Sequence, residues 1–152
     1  MSARTPRNSH FEQVVRDSFA RQGLMATLGA RLSLVEPGHV EIEVPFADAV
    51  SQQQGLFHGG VTSSIVDTSC GYSALTLMAA GSEVLTVEFK INLFAPARGD
   101  RLVASGRVLR PGRTITVCHG DAYAVRDDEP DARVHCATMV ATMMRVEVGC
   151  AE

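Results

Sequence analysis

The chain has 152 residues, the length of one domain on the usual prior of about 100–200 residues. Hydrophobic residues make up 45% and charged residues 20%, which supplies a core and argues against wholesale disorder. Fourteen Lys and Arg stand against seventeen Asp and Glu, a net charge of −3, and a weakly acidic chain without a basic run is a poor nucleic-acid binder.

Residues 1–8 read as a disordered polar tail without the apolar stretch of a signal peptide, and residues 9–152 as a single domain. Asn8 or Ser9 can cap a helix from about His10 to Arg21, with Phe11, Val14, Val15, Ser18 and Phe19 on one face. Gly23 ends it. A strand over Gly29–Glu36 turns at Pro37–Gly38 into a second strand, His39–Pro45, where Val40, Ile42 and Val44 alternate with Glu41 and Glu43. A polar loop over 46–57 leads to the one long helical segment, His58 to about Ala80, which Gly81 closes.

Four more strands are expected. Val84–Phe94 alternates, with Leu85, Val87, Phe89, Ile91 and Leu93 on one face and Thr86, Glu88, Lys90 and Asn92 on the other. Asp100–Arg110 and Thr114–Tyr123 flank the turn Pro111–Gly112, and Arg133–Glu147 is the last strand. The order predicts an α+β fold: an antiparallel sheet of five to six strands curling around one helix.

Cys70, Cys118, Cys136 and Cys150 stand singly, with no CxxC and no Cys/His spacing for a metal. They read as thiols of a reducing compartment. Asp67 sits in the middle of the longest apolar stretch, so that stretch reads as a buried helix and not a membrane span. A cytoplasmic location is the expectation.

The chemistry concentrates in His58–Gly71, HGGVTSSIVDTSCG. Gly59 and Gly60 leave the first-turn N–H groups open to a ligand at the positive end of the helix dipole. Asp67 is the only charge between His58 and Ala80. A buried carboxylate costs several kcal/mol, which points to a general base, a nucleophile or a structural partner. Small residues flank it one turn away, among them Gly60, Ser64, Gly71 and Ala74, and they suit either a slim ligand or tight helix packing. Eight residues of helix span about 12 Å. One carbonyl therefore cannot meet Gly59 N–H and Asp67 of the same helix. If both act on it, a second copy supplies one of them, which predicts a symmetric homodimer with two composite sites.

At these residues the sequence resembles the hotdog-fold acyl-CoA thioesterases, in particular the PaaI-like branch of phenylacetate degradation. The shared pattern is His58-Gly59-Gly60, Asp67 and Gly71, the stretch Ala95–Asp100 and the turn Pro111–Thr114. The resemblance implies hydrolysis of a medium-chain or aromatic acyl-CoA, with coenzyme A as part of the substrate and no cofactor or metal. Asp67 then corresponds to the catalytic acid and Gly59 to the glycine whose N–H polarises the carbonyl. Gln52 falls where relatives place an amide near the reacting group, and Thr86 where a hydroxyl positions water. His58 and Gly60 would shape the substrate site. Arg113 and Arg98 are candidates for the coenzyme A phosphates, with Arg101 and Arg110 behind them. The partners implied are an acyl-CoA substrate and further copies of the chain, a homodimer or a tetramer built as a dimer of dimers. Two other readings stay open: a non-catalytic acyl-CoA-binding module and a hotdog hydratase or dehydratase. His119 and His135 read as structural, and no Gly-x-Ser-x-Gly elbow supports a serine hydrolase.

Overall fold

The computed structural model describes residues 4–147; Cys150 lies outside them. The first apolar stripe forms α1 (Phe11–Ala20), with Val15 buried. Asn8 assists its start by accepting the His10 N–H on its side-chain oxygen, 3.0 Å away. The first helix ends ahead of Gly23, as the sequence suggests, but Gly23 itself opens a second helix. Gln22 takes an extended conformation (φ −79°, ψ 107°) and caps a second short helix, α2 (Gly23–Thr27), which buries Met25. The result is a corner at Gln22. Of the segment expected to be a loose tail, Arg4 lies against the sheet, where its guanidinium donates to the carbonyls of Val108 (2.7 Å) and Leu109 (3.1 Å).

The strands are β1 (Arg31–Glu36), β2 (His39–Pro45), β3 (Ser82–Leu93), β4 (Arg101–Arg110), β5 (Ile115–Arg126) and β6 (Glu129–Glu147). They form one antiparallel sheet in the order β1-β2-β4-β5-β6-β3, inside the expected strand number. The long helix α3 (Gly59–Leu75) crosses its inner face over β2 to β6. It ends five residues before Ala80: the Thr76 hydroxyl donates to the Ser73 carbonyl (2.6 Å) and accepts the Gly38 N–H (2.7 Å), so the last turn is tied off sideways. Gly81 sits beyond it in a turn with φ 77°, a conformation glycine adopts at little cost.

The small residues of α3 pack against a glycine seat. Gly106 of β4 pairs with Gly120 of β5. A methyl group at Gly106 would lie 2.4 Å from the Ser69 carbonyl carbon, and one at Gly120 would lie 2.5 Å from Val66 Cγ1. Only glycine lets the helix backbone come this close to the sheet. Ser73 then donates to the Gly106 carbonyl at 2.8 Å.

One expectation about β3 is corrected. Its pairing with β6 slips between Thr86 and Glu88, leaving Val87 as a bulge. A bulge inserts one residue and reverses the alternation beyond it. Thr86 faces Met143 on the inner side, as Phe89 and Leu93 face Ala141 and Ala137, whereas Leu85 and Glu88 point outward beside Met144 and Thr142. Strict alternation would have put Thr86 with Glu88.

Candidate active site

The bulge brings Thr86 to Asp67. Thr86 Oγ1 donates to Asp67 Oδ1 at 2.8 Å, and Oδ2 has no hydrogen-bond partner among the described residues. Asp67 is half-buried on α3. Burial raises its pKa above the ordinary 3.8, and the Thr86 hydrogen bond pulls partly against that shift. The carboxylate faces a cleft of about 380 Å3 between α3, the start of β3 and the α1–α2 corner. That volume suits a small-molecule site. A half-solvated, mildly basic carboxylate with one oxygen free can take a proton from water.

The Gly59 amide lies elsewhere. His58 caps α3: its Nδ1 accepts the Gly60 N–H at 2.8 Å, and its carbonyl accepts Val61 and Thr62. Gly60, expected to face substrate, therefore spends its N–H on the cap. The Gly59 N–H has no hydrogen-bond partner among the described residues. Gly59 and Gln52 line a second, smaller pocket of about 170 Å3 with Phe57 and Leu93. Gln52 is folded onto its own loop, its side chain joined to Gln54 through both the Gln54 N–H and the Gln54 amide.

Asp67 and Thr86 thus share one cavity and Gly59 and Gln52 another, separated by two turns of α3. Arg113 lines a third recess of about 250 Å3 near the end of α3, together with Arg4, Arg7 and Arg145. Arg98 is exposed after β3 and lines none of these cavities. Among the described residues no group of three His, Cys, Asp or Glu side chains is placed to hold a metal ion, and no helix is long and apolar enough to cross a membrane. Cys70, Cys118 and Cys136 are buried free thiols; burial pushes Cys118 up to about 12 and so keeps it protonated and inert.

The sequence pattern of the thioesterase superfamily matches residues 54–130, a stretch that starts before Gly59 and contains Asp67, Thr86 and Arg113. The chain belongs to the thioesterase superfamily. It is 48% identical to a thioesterase family protein from Silicibacter pomeroyi whose crystal structure superposes with a TM-score of 0.86, covering 90% of this chain and 98% of that one. Human acyl-coenzyme A thioesterase 13 is 26% identical over 114 residues, 73% of this chain and 80% of that protein. The Escherichia coli PaaI protein from the phenylacetic acid degradation operon shares the fold at a TM-score of 0.77 and 17% identity, with 92% of this chain and 96% of that one covered. The chain spans between 61% and 80% of the length of the curated relatives it matches.

In this thioesterase-superfamily fold, the region with no sequence signal is the far side of the Asp67 cleft. Ser18, Gln22 and Leu24 line it from the N-terminal helices, facing Tyr72 on α3. Gln22 Nε2 donates to the Tyr72 hydroxyl (2.8 Å), which donates to Ser18 Oγ (3.2 Å). A lone buried tyrosine five residues past the acid was the only available hint, and five residues is not a helical repeat that flags a shared face.

Proposed function

We propose that this protein hydrolyses the thioester of an acyl-coenzyme A at a site shared between two copies of the chain. The observation that carries the reading is the half-buried Asp67, hydrogen-bonded to Thr86 in a ligand-sized cleft, with a free Gly59 N–H two helical turns away. Asp67 Oδ2 takes a proton from water as the water oxygen bonds to the thioester carbon. The Gly59 N–H of the other copy receives the negative charge that develops on the carbonyl oxygen. When the C–S bond breaks, the thiolate recovers the proton from Asp67. The products are the free acid and coenzyme A, and the carboxylate is restored.

The edge strand supports the second copy. β3 ends the sheet with Val87, Phe89 and Leu93 all exposed, and a long apolar edge is a template for pairing. Thr86, beside Asp67, lies toward its start; Leu93, whose Cδ1 would touch a methyl at Gly59 at 2.9 Å, ends it. A two-fold axis through the middle of β3 would bring the Gly59 end of one copy to the Asp67 end of the other. The recess of Arg4, Arg7, Arg113 and Arg145 offers cations for the coenzyme A phosphates. The match to human acyl-coenzyme A thioesterase 13 supports an acyl-CoA substrate; a medium-chain or aromatic acyl group is the one we propose. We place the protein in the cytoplasm, as a dimer or a dimer of dimers.

Two inactive variants test the shared site. Asp67→Asn removes the base. Gly59→Val covers the amide and pushes Leu93 aside. Each homodimer should be nearly inactive. Refolded together, about half of the dimers should be mixed, each with one site carrying neither lesion, so activity should return to roughly a quarter of wild type. A mixture that stays inactive, with mixed dimers proven by native mass spectrometry, rejects the shared site.

A further inference from the structure

The cleft that holds Asp67 has an end wall, and the wall comes from the N-terminal helices. Ser18, Gln22 and Leu24 line it from that side. The electrostatics decide which end of an acyl-CoA it can take. Among the described residues the lining contains no Arg, Lys or His, and it carries two carboxylates, Asp67 and Glu83. Arg21 offsets Glu83, so Asp67 is the unpaired charge there, and phosphates meet no cation among the lining residues, while the four-arginine recess lies elsewhere. The acyl group is the part that fits.

The wall is anchored at several points. The Tyr72 hydroxyl, on a side chain buried in α3, accepts from Gln22 Nε2 at 2.8 Å and donates to Ser18 Oγ at 3.2 Å. The ring of Phe19 lies 6.1 Å from that of Tyr72. Arg21 reaches Glu83 at the start of β3, 3.4 Å away. The extended backbone of Gln22 then turns the chain, so that Met25 enters the core while Leu24 stays 54% exposed over the cleft. Leu24 and Val84 are the apolar side chains in a cavity otherwise lined mainly by polar groups, and Leu24 is the one carried by the N-terminal helices.

The geometry points to Leu24 as the stop that meets the end of the acyl group, and to Gln22 as the positioning residue that holds the α1–α2 corner in place through Tyr72. This rests on the thioesterase reading above. Leu24 then sets how long an acyl group the cleft accepts, and the Gln22–Tyr72 contact sets how sharply it discriminates.

The test uses straight-chain substrates from butyryl- to palmitoyl-CoA with two readouts: thiol release by the active protein, and equilibrium binding of the same thioesters to protein carrying Asp67→Asn. Leu24→Ala frees the volume of about three methylene-sized groups. The length optimum should move to longer chains, with the long-to-short ratio of kcat/KM rising about tenfold, the effect of burying roughly two further methylenes. Leu24→Trp should move it the other way. Tyr72→Phe and Gln22→Ala should flatten the profile, mostly through KM, whereas a purely structural lesion would lower all lengths together. Profiles that keep the wild-type shape in every variant, in a protein that hydrolyses the series, overturn the stop and leave the thioesterase reading standing. A shift in binding without hydrolysis by the wild type supports the stop and overturns hydrolysis. Absence of both binding and hydrolysis overturns both.

Discussion

The two edges of the sheet are built to opposite purposes. β1 is six residues long, begins with Arg31 and ends with Glu36, and breaks its register between Leu32 and Leu34. Arg31 is tied to Glu43 of β2 at 2.7 Å. Short length, charge and a bulge are the ways a sheet finishes an edge. β3 is twelve residues long and leaves Leu85, Val87, Phe89 and Leu93 more than two-fifths exposed. It has a bulge, but the bulge rotates Thr86 toward Asp67 and does not protect the strand. The unfinished edge is also the element that runs past both halves of the proposed site, Asp67 near one end and Gly59 near the other.

The largest effect should come from breaking the open edge. Val87→Lys combined with Phe89→Lys places charge where an apolar partner strand would lie. The protein should become monomeric by analytical ultracentrifugation, and activity should fall by more than about 10³, because the base and the amide donor are separated together. The matching change on the finished edge, Ser33→Lys, should leave assembly and activity alone and shift stability by no more than about 0.5 kcal/mol. Equal responses at the two edges would remove the distinction drawn between them.

A narrower lesion sharpens the same point. Asp67→Asn keeps the oxygen that accepts from Thr86 and leaves both edges intact. The dimer should persist while kcat drops by roughly 10²–10⁴, the range for a lost general base. Near wild-type turnover would reassign Asp67 to a structural role.

The same contrast shows what the sequence can and cannot reveal. The six strands, the single long helix and the order of elements follow from period-2 alternation, the Pro-Gly turns and one long apolar run, signals that are local. Asp67 stood out because charge inside an apolar run needs a reason. The slip at Val87 carried no signal: alternation in β3 continues unbroken in sequence, and the choice of which residue bulges is settled by packing against α3 and β6. The corner at Gln22 was hidden because Gly23 reads as a terminator, while the core that takes up Met25 and the Tyr72 hydroxyl that holds Gln22 are tertiary partners the local pattern does not show. The glycine seat was illegible for the same reason. Gly106 and Gly120 lie fourteen residues apart in unrelated patterns, and only strand pairing sets them side by side under α3.

Thr86→Ala should give a moderate effect that tests why β3 bulges where it does. The Thr86 hydroxyl holds Asp67 lower than burial alone would. Without it the carboxylate should titrate higher still. The acid limb of kcat/KM against pH should therefore move up, with activity lost at a higher pH than in wild type, and plateau activity should fall less than in Asp67→Asn. An acid limb that stays put or moves down would show that the hydroxyl does not tune the base.

The smallest effect is on stability, and its sign is opposite to the effect on activity. Burial raises the Asp67 pKa in the folded chain, so the folded state binds that proton more tightly than the unfolded one. The stability this contributes is fully present below the unfolded value of about 3.9 and is lost as pH rises through the raised one. At neutral pH the fold thus carries a carboxylate that unfolded chain would hydrate better. Asparagine keeps the shape and the acceptor for Thr86 and never ionises. Asp67→Asn should melt above wild type at pH 7, by about 1–3 °C for a domain of this size, a small gain because the carboxylate is only half-buried and solvent screens it. The gap should close as pH falls below about 4, where both side chains are neutral. A differential melt that shows no gain at pH 7, or a gain that persists unchanged in acid, would mean that the site does not hold its carboxylate at a cost to the fold.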